Sequence, residues 1–375
     1  MTNILQKISF FCVTLLFPSL IFSNDSLSKL EKKTANSLLG AGFKKQSQNN
    51  CPKSVECSRE PKFCNTLFID KCSSKPSFTL DVLYFKAIED SLKYGENDSN
   101  FSNYPISDNS KTIQQKFKYS PGIRVSLNLP AYDCWMLGFS YTHFSAIPQT
   151  THAQNNDGAL FGSLIAPVYY APVNENVSNL SGKWTLRLES FDALLKKKII
   201  LDNSFLASIF MGLQGCSIHQ KVNVNYTFFN PRPSLASPQS VRGYSSLFGI
   251  GPKMGAELKL IFPYAFSFFA KGSFSCILGA FKTTTKYSRP IISNAYDNIS
   301  LKDNPMRICT VSELQMAFSK WWTTSNCIDI EFTIGWETQV WSRQMRMNWF
   351  NTLSSPPDGS DLTLHGPFAN LSIWF

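Results

Sequence analysis

The chain has 375 residues, of which 43% are apolar, 14% aromatic and only 17% charged, and its formal net charge is +10. Beyond the N-terminus no uncharged apolar run approaches the roughly 18 residues that a membrane-spanning helix needs, which excludes a helical membrane protein. The charge would suit nucleic acid, anionic lipid or an anion-favouring pore, but the Lys and Arg residues are scattered, which argues against nucleic acid. This composition favours a transmembrane β-barrel, because the faces of barrel strands alternate.

An export signal is predicted at the start of the chain. Lys7 precedes a short apolar run at residues 8–22, which Pro18 interrupts and Ser23 ends. These features are typical of a secretory signal peptide, and the run is too short and too kinked for a membrane anchor. We predict that residues 1–23 are the signal peptide, with cleavage near Ser23.

A polar, Lys-, Ser- and Asn-rich segment follows at residues 24–76, and it contains four of the ten cysteines: Cys51, Cys57, Cys64 and Cys72. In an exported protein such a cluster predicts disulfides, within or between chains. Its spacings are wider than the close pairs typical of zinc sites, and we expect no metal or cofactor. We interpret residues 24–76 as a periplasmic extension.

From residue 77 onward, apolar and polar residues alternate in ten segments. A period of two predicts strands with one apolar face. The segments are 78–84, 117–127, 135–142, 184–188, 205–226, 246–260, 265–281, 307–321, 328–336 and 365–375.

The connections between these segments alternate in length. The long ones are polar and span 87–111, 145–181, 227–243, 283–305 and 347–361, whereas the short ones span 128–133, 194–202, 262–264 and 322–326. Short periplasmic turns and long outer loops are typical of outer-membrane barrels, and a soluble sandwich has no reason to sort its loops in this way. We predict an all-β, antiparallel up-and-down transmembrane barrel of about ten strands over residues 77–375. An extra hairpin within 159–171 would make twelve.

The last segment has an aromatic end. Leu371, Ile373 and Phe375 fall on one side of it, and Asn370 and Ser372 on the other. Because an open sheet edge in lipid would leave backbone groups unpaired, the first and last strands should pair. A terminal aromatic strand resembles the assembly signal of outer-membrane barrels, which makes Phe375 the predicted signal for the barrel-assembly machinery.

Charged residues lie on the polar side of the predicted strands. A charge facing lipid would cost ~2–4 kcal/mol for each Arg or Lys near the midplane, so we expect these side chains to face the lumen. The pore-lining candidates are Lys118, Arg124, Arg187, Glu189, Lys253, Glu257, Lys259, Lys271, Glu313, Glu331 and Glu337. They could line an aqueous path or pair across the lumen and plug it, since about eight strands already leave an interior that side chains fill.

No catalytic site is predicted. A barrel hydrolase needs a Ser–His pair with an orienting amide or carboxylate, and no local motif marks one around His143, His152, His219 or His365. The glycine-rich stretch at 249–255 lacks the features of a phosphate-binding loop, and its glycines favour close packing in a barrel wall.

Several motifs occur together in the order and spacing of a known family. They are Trp135–Thr142, Trp184 with Phe191–Leu195, Gly212–Gln220, Phe248–Gly255, Glu337–Trp341 and Asp361–Gly366, followed by the terminal strand. Over residues 78–375 the chain resembles the pore-forming, Legionella-type major outer membrane proteins, which also occur in chlamydia-like bacteria. The resemblance implies an abundant porin, embedded in outer-membrane lipid, that passes small solutes or ions and has no catalytic site.

Residues 24–76 depart from that family. Their cysteines resemble those of the disulfide-crosslinked envelopes of chlamydia-like bacteria, which implies disulfide-linked envelope partners. The alternative function is therefore a structural or adhesive surface barrel with a largely plugged lumen, stabilised by crosslinks. A homo-oligomer is compatible with either function.

Overall fold

The computed structural model describes residues 75–98, 111–132, 134–154, 159–164, 177–202, 204–228, 238–290, 296–324, 328–345 and 360–375. The predicted signal peptide and the cysteines at 51, 57, 64 and 72 lie outside these residues. The described strands are β1 (Ser77–Glu89), β2 (Lys93–Asp98), β3 (Lys111–Gln114), β4 (Tyr119–Pro130), β5 (Trp135–Gln154), β6 (Ala159–Gly162), β7 (Val177–Asp202), β8 (Phe205–Phe228), β9 (Gln239–Phe262), β10 (Phe266–Pro290), β11 (Tyr296–Asp303), β12 (Met306–Thr323), β13 (Asp329–Met345) and β14 (Ser360–Trp374), with one 3₁₀ turn at Pro263–Ala265.

Ten of these strands close into an antiparallel ring in the order β1-β4-β5-β7-β8-β9-β10-β12-β13-β14. The ring closes where β14 pairs with β1, from Ser77 opposite Trp374 to Glu89 opposite Leu362. Closure gives every wall strand two neighbours, so the wall has no open edge for lipid to meet. The prediction of an all-β barrel of ten strands, sealed by its first and last strands, is confirmed.

The remaining described strands lie outside the ring. β6 falls within the stretch that could have raised the count to twelve, but it pairs with β2, which also pairs with β3, in a separate three-stranded sheet. β11 pairs with the last residues of β10, Thr283–Pro290. These strands belong to the long connections, whereas the ring strands β4 and β5 are joined by a short turn. Both ends of the barrel domain lie on the short-turn side, where the Phe375 amide donates to the Pro76 carbonyl over 3.1 Å.

The outside of the ring carries an apolar band. Across β7 to β12 one row of this band joins Phe191, Gly215, Ile250, Leu278 and Ile308 as successive cross-strand neighbours. Exposed apolar side chains in a continuous band are the mark of a barrel wall that faces lipid. No helix in the described part of the chain is long and apolar enough to cross a membrane.

Beyond the band, on the side of the long connections, the strands continue, but their apolar residues face inward and their polar residues face outward. On β8, Met211 and Leu213 face outward and are exposed, whereas further up the strand Ile218, Val222 and Val224 face inward and are fully buried. The outward positions there are polar. The alternation has the same period throughout, but the surroundings change from lipid to water, so the apolar face changes sides. This inversion explains why β5 and β7 extend into the loop predicted at 145–181, whose polar composition reflects their outward face.

Candidate functional site

The barrel interior is the candidate site, and it has two layers. Within the membrane band lies a polar layer, defined by Asp81, Arg124, Asp192, Lys253, Glu313 and Glu337. Towards the outer side lies an apolar layer, defined by Leu83, Phe85, Phe144, Leu186, Ile218, Val311, Trp341 and Leu362. A solute crossing the barrel would have to pass both layers.

Arg124 and Glu337 form the first buried pair of the polar layer. Arg124 on β4 donates from Nη2 and Nη1 to the two carboxylate oxygens of Glu337 on β13, over 2.7 and 2.9 Å. Its Nη1 also lies 3.5 Å from the Asp81 carboxylate. The Glu337 side chain is 0% exposed and accepts further hydrogen bonds from Gln315 and Gln339. This bidentate Arg–carboxylate contact joins β4 to β13 inside the barrel, across the two intervening strands β14 and β1.

Lys253 forms the second buried pair. Its Nζ on β9 lies 3.0 Å from Asp192 and 2.7 Å from Glu313, and its side chain is 2% exposed. Ser273 donates to the same Glu313 oxygen over 2.9 Å. The single cation gives both carboxylates a partner of opposite charge inside the barrel, where a carboxylate without such a partner would be strongly destabilising.

A third pair lies near the short-turn end. Lys259 donates to Glu331 over 2.7 Å, and its ammonium lies 4.1 Å from the centre of the Trp321 ring. The Trp321 indole donates to the same carboxylate over 2.8 Å. The aromatic face and the carboxylate together hold this lysine in the barrel interior.

The apolar layer fills the outer half of the ring. Leu83, Phe144 and Trp341 are each 0% exposed and point inward from three different strands. The Trp341 indole donates to Gln339 over 3.2 Å, so its polar atom is satisfied although the ring is buried. Close-packed side chains of this kind leave little room for water.

The separate sheet packs onto this layer through Tyr94 of β2. The Tyr94 hydroxyl donates to Gln115 over 2.7 Å, and its carbonyl accepts from the Tyr226 hydroxyl over 2.8 Å. Burial raises the pKa of the Tyr94 phenol. Leu92 and Leu160 are buried beside it. The long loops thus contribute apolar cover over the outer half of the interior.

The structure separates the eleven predicted lumen residues into two groups. Eight face the interior: Arg124, Lys253, Glu257, Lys259, Lys271, Glu313, Glu331 and Glu337. Arg187 and Glu189 instead face outward, and Lys118 is exposed just before β4. The outward placement of Arg187 and Glu189 corrects the prediction. They lie above the lipid band, where their inward neighbours Leu186 and Leu188 belong to the buried core.

Sequence reasoning missed the acidic partners Asp81 and Asp192. Asp81 sits among apolar residues of the first strand, and Asp192 follows the lipid-facing Phe191. A single inward acid in an otherwise apolar stretch was the available signal, because strict alternation puts it on the same face as the other lumen residues.

A Ser–His contact occurs on the outside of the barrel. Ser217 Oγ lies 3.2 Å from Nε2 of His219, whose Nδ1 lies 3.1 Å from the Tyr244 hydroxyl. A tyrosine therefore occupies the position that a carboxylate or amide holds in a hydrolytic triad. Among the described residues no group of His, Cys, Asp and Glu is arranged to hold a metal ion.

The described cysteines include three free thiols, at Cys216, Cys276 and Cys309, whereas Cys134 in the turn between β4 and β5 is disulfide-bonded. Cys216 and Cys309 are buried inside the outer half of the barrel. Buried thiols in apolar surroundings behave as small apolar side chains.

Solved structures with a related shape include the outer membrane protease OmpT from Escherichia coli, at 9% identity over 80% of this chain and 97% of that chain, with a TM-score of 0.37. A FadL homologue from Pseudomonas aeruginosa matches at 9% identity over 80% of this chain and 90% of that chain, with a TM-score of 0.22. TM-scores this low carry no argument about this chain. No curated protein sequence matches it.

A family model gives the decisive comparison. The model described as Legionella pneumophila major outer membrane protein precursor matches residues 71–375, which is most of the chain and all of the barrel. This match agrees with the closed ten-stranded wall and its apolar outer band, and it confirms the resemblance drawn from the motifs. The chain belongs to the Legionella major outer membrane protein family and is a β-barrel of the bacterial outer membrane.

Proposed function

We propose that this protein is a structural surface barrel whose lumen is closed to free diffusion of solutes. The observation that carries the proposal is that buried side chains occupy the interior in both the polar layer and the apolar layer. Arg124 pairs with Glu337 across the polar layer, and Trp341 and Phe144 fill the apolar layer above it. Ten strands enclose an interior only slightly wider than one that side chains fill completely, which supports the same conclusion.

A second candidate, passive diffusion of small ions, is favoured by the charges themselves. Well-packed apolar residues are often at least as stabilising as buried ion pairs, so stability alone gives little reason to keep Lys253, Asp192 and Glu313 inside the wall. If these ion pairs separated, a narrow aqueous path would open, and the freed charges would interact with ions that pass through it. The excess of basic residues would make such a path at most weakly anion-selective.

The two candidates are separated by electrical recording. We expect the refolded, monodisperse protein to give no steady conductance in planar lipid bilayers, because the apolar layer interrupts any water column. Vesicles that contain the protein should also not swell in isotonic sugar. An open porin reconstituted in the same way is the control for both measurements. Steady conductance of the wild-type protein would overturn the structural proposal in favour of the ion pathway.

A further prediction concerns assembly. We propose that the barrel-assembly machinery recognises Phe375, which is 60% exposed beside the β1–β14 pairing that closes the ring. Deleting it should remove most of the protein from the outer membrane while leaving refolding in detergent nearly normal. The pairing from Ser77 opposite Trp374 onward stays intact in the deleted chain, which is why its folding should survive. Phe375→Tyr, which keeps the aromatic ring, is the control. A normal outer-membrane yield of the deletion variant would contradict the proposal.

The proposal assigns no catalytic role, since Tyr244 rather than an acid or amide contacts the outward-facing His219. Crosslinking through Cys51, Cys57, Cys64 and Cys72 stays a prediction from the sequence.

A further inference from the structure

Three successive outward-facing rows on one side of the barrel are rich in lysine and arginine. The lowest row joins Arg187, His219, Ser246 and Lys282 as cross-strand neighbours, the next joins Thr185, Lys221, Tyr244, Thr284 and Lys302, and the third joins Lys183, Asn223, Arg242, Lys286 and Ser300. We call the seven basic residues of these rows the basic patch: Lys183, Arg187, Lys221, Arg242, Lys282, Lys286 and Lys302. All seven side chains are exposed, and the described residues of the three rows include no acid.

The basic patch begins where the lipid band ends. The row directly below it contains Glu189, Ser217, Phe248 and Ala280, and Phe248 is 72% exposed. Glu189 pairs with Arg187 over 2.5 Å, so the patch carries its net positive charge mainly on the strands beyond β7. The patch therefore faces the headgroup side of the outer leaflet rather than its acyl chains.

The height of the patch indicates the kind of headgroup it meets. Arg242 lies six residues above Phe248 on β9, which corresponds to roughly 15 Å above the band for a strand tilted by about 40°. A phospholipid headgroup layer is only about 5–8 Å thick on each side of the bilayer. Arg242 and Lys286 thus stand above the level of phospholipid headgroups, where a taller saccharide headgroup would lie.

We propose that the basic patch binds the phosphate groups of phosphorylated glycolipids in the outer leaflet. Arg242 and Lys286 are direct cross-strand partners. Between them opens a cavity of about 460 Å³ whose other polar lining comes from Ser240, Ser288, Asn298 and Ser300. Two cations beside hydroxyl and amide groups provide charge-assisted bonds for phosphate and hydrogen-bond partners for sugar hydroxyls.

The opposite side of the barrel offers a matched control. β1 lies five strands from β9 around the ring, and Lys86 is its lysine above the band, beside His365 of β14. A general attraction of cations to an anionic surface would involve Lys86 as much as any one residue of the basic patch. A specific phosphate site around Arg242 and Lys286 would not involve Lys86.

The test uses the full chain refolded in neutral detergent micelles and a fluorescent bis-phosphorylated diglucosamine glycolipid as the probe. Affinity is measured by fluorescence anisotropy for the wild type, for the triple variant Arg242→Gln/Lys282→Gln/Lys286→Gln, and for Lys86→Gln. Each basic residue near an anionic surface contributes about fivefold, so we expect the triple variant to bind roughly 100-fold more weakly. Lys86→Gln should bind like the wild type, and Lys282→Arg/Lys286→Arg should retain binding. The substituted residues are exposed, and circular dichroism of each variant verifies that the barrel has formed.

Three comparison ligands identify what is bound. The same glycolipid after enzymatic dephosphorylation and phosphatidylglycerol, with its short headgroup, should both bind weakly. Inorganic pyrophosphate should compete only at far higher concentration. The proposal is overturned if the triple variant binds like the wild type, or if Lys86→Gln alone weakens binding by the roughly fivefold loss expected for any one residue of the basic patch. It is also overturned if the dephosphorylated lipid or phosphatidylglycerol binds as tightly as the probe, or if pyrophosphate matches its affinity.

Discussion

Arg124→Leu is expected to lower the free energy of unfolding by about 3–5 kcal/mol, because it leaves buried carboxylates without their cation. Glu337 would lose two short hydrogen bonds, and Asp81 would lose its neighbouring positive charge. Since Glu337 is fully buried, water cannot replace the missing partner in the folded barrel. The measurement is urea unfolding of the refolded protein in lipid vesicles, followed by tryptophan fluorescence.

Arg187→Leu is the matched control for this substitution. Arg187 also contacts a carboxylate, that of Glu189 at 2.5 Å, but its side chain is 61% exposed. An exposed ion pair contributes only about 0–1 kcal/mol, so the control should be nearly neutral. The double variant Arg124→Leu/Glu337→Leu should recover part of the lost unfolding free energy, since it removes the unpaired Glu337 carboxylate together with the arginine. Equal effects of Arg124→Leu and Arg187→Leu would contradict the buried network.

Trp341→Ala is expected to destabilise the barrel by about 3–5 kcal/mol through the cavity it leaves in the apolar layer. Trp341 is among the largest fully buried side chains, and it stands directly above the polar layer. Its removal would also open space between the outer loops and the charged interior. The same unfolding measurement reports the loss of stability.

Trp336→Ala tests whether the effect of Trp341 comes from burial. Both tryptophans lie on β13, but Trp336 faces outward and is 47% exposed. Lipid or detergent can fill the space that Trp336 leaves, so its loss should cost less than half as much. Similar losses of unfolding free energy for the two variants would show that the apolar layer around Trp341 is not close-packed.

Much of the wall was predictable from local patterns. The terminal strand, with Leu371 and Ile373 outward and Ser372 inward, appears in the structure as its alternation predicts. The long and short connections also sort to opposite ends of the barrel. Strand period and loop length are properties of contiguous residues, so they can be recognised without knowledge of partners.

The inversion above the membrane was not predictable in this way. Arg187 and Lys253 both lie on the polar side of an alternating strand, yet one faces water outside and the other a buried pair inside. A period of two shows that a strand has two faces but does not state which face is inward. That choice depends on whether lipid or water surrounds the particular segment.

The sequence by itself predicted a closed β-barrel of ten or twelve strands, the side of the membrane on which its ends meet and the family to which it belongs. The structure decided the count of ten, because β6 pairs with β2 outside the ring. The tertiary structure alone decided which charges neutralise one another and how the lumen is filled. Arg124 reaches Glu337 across 213 residues of sequence, and Lys253 reaches Glu313 across 60. The partners lie on non-adjacent strands, since β14 and β1 separate Arg124 from Glu337 and β10 separates Lys253 from Glu313. They become neighbours only in the folded barrel, because the curvature of its wall brings the inward side chains of non-adjacent strands together.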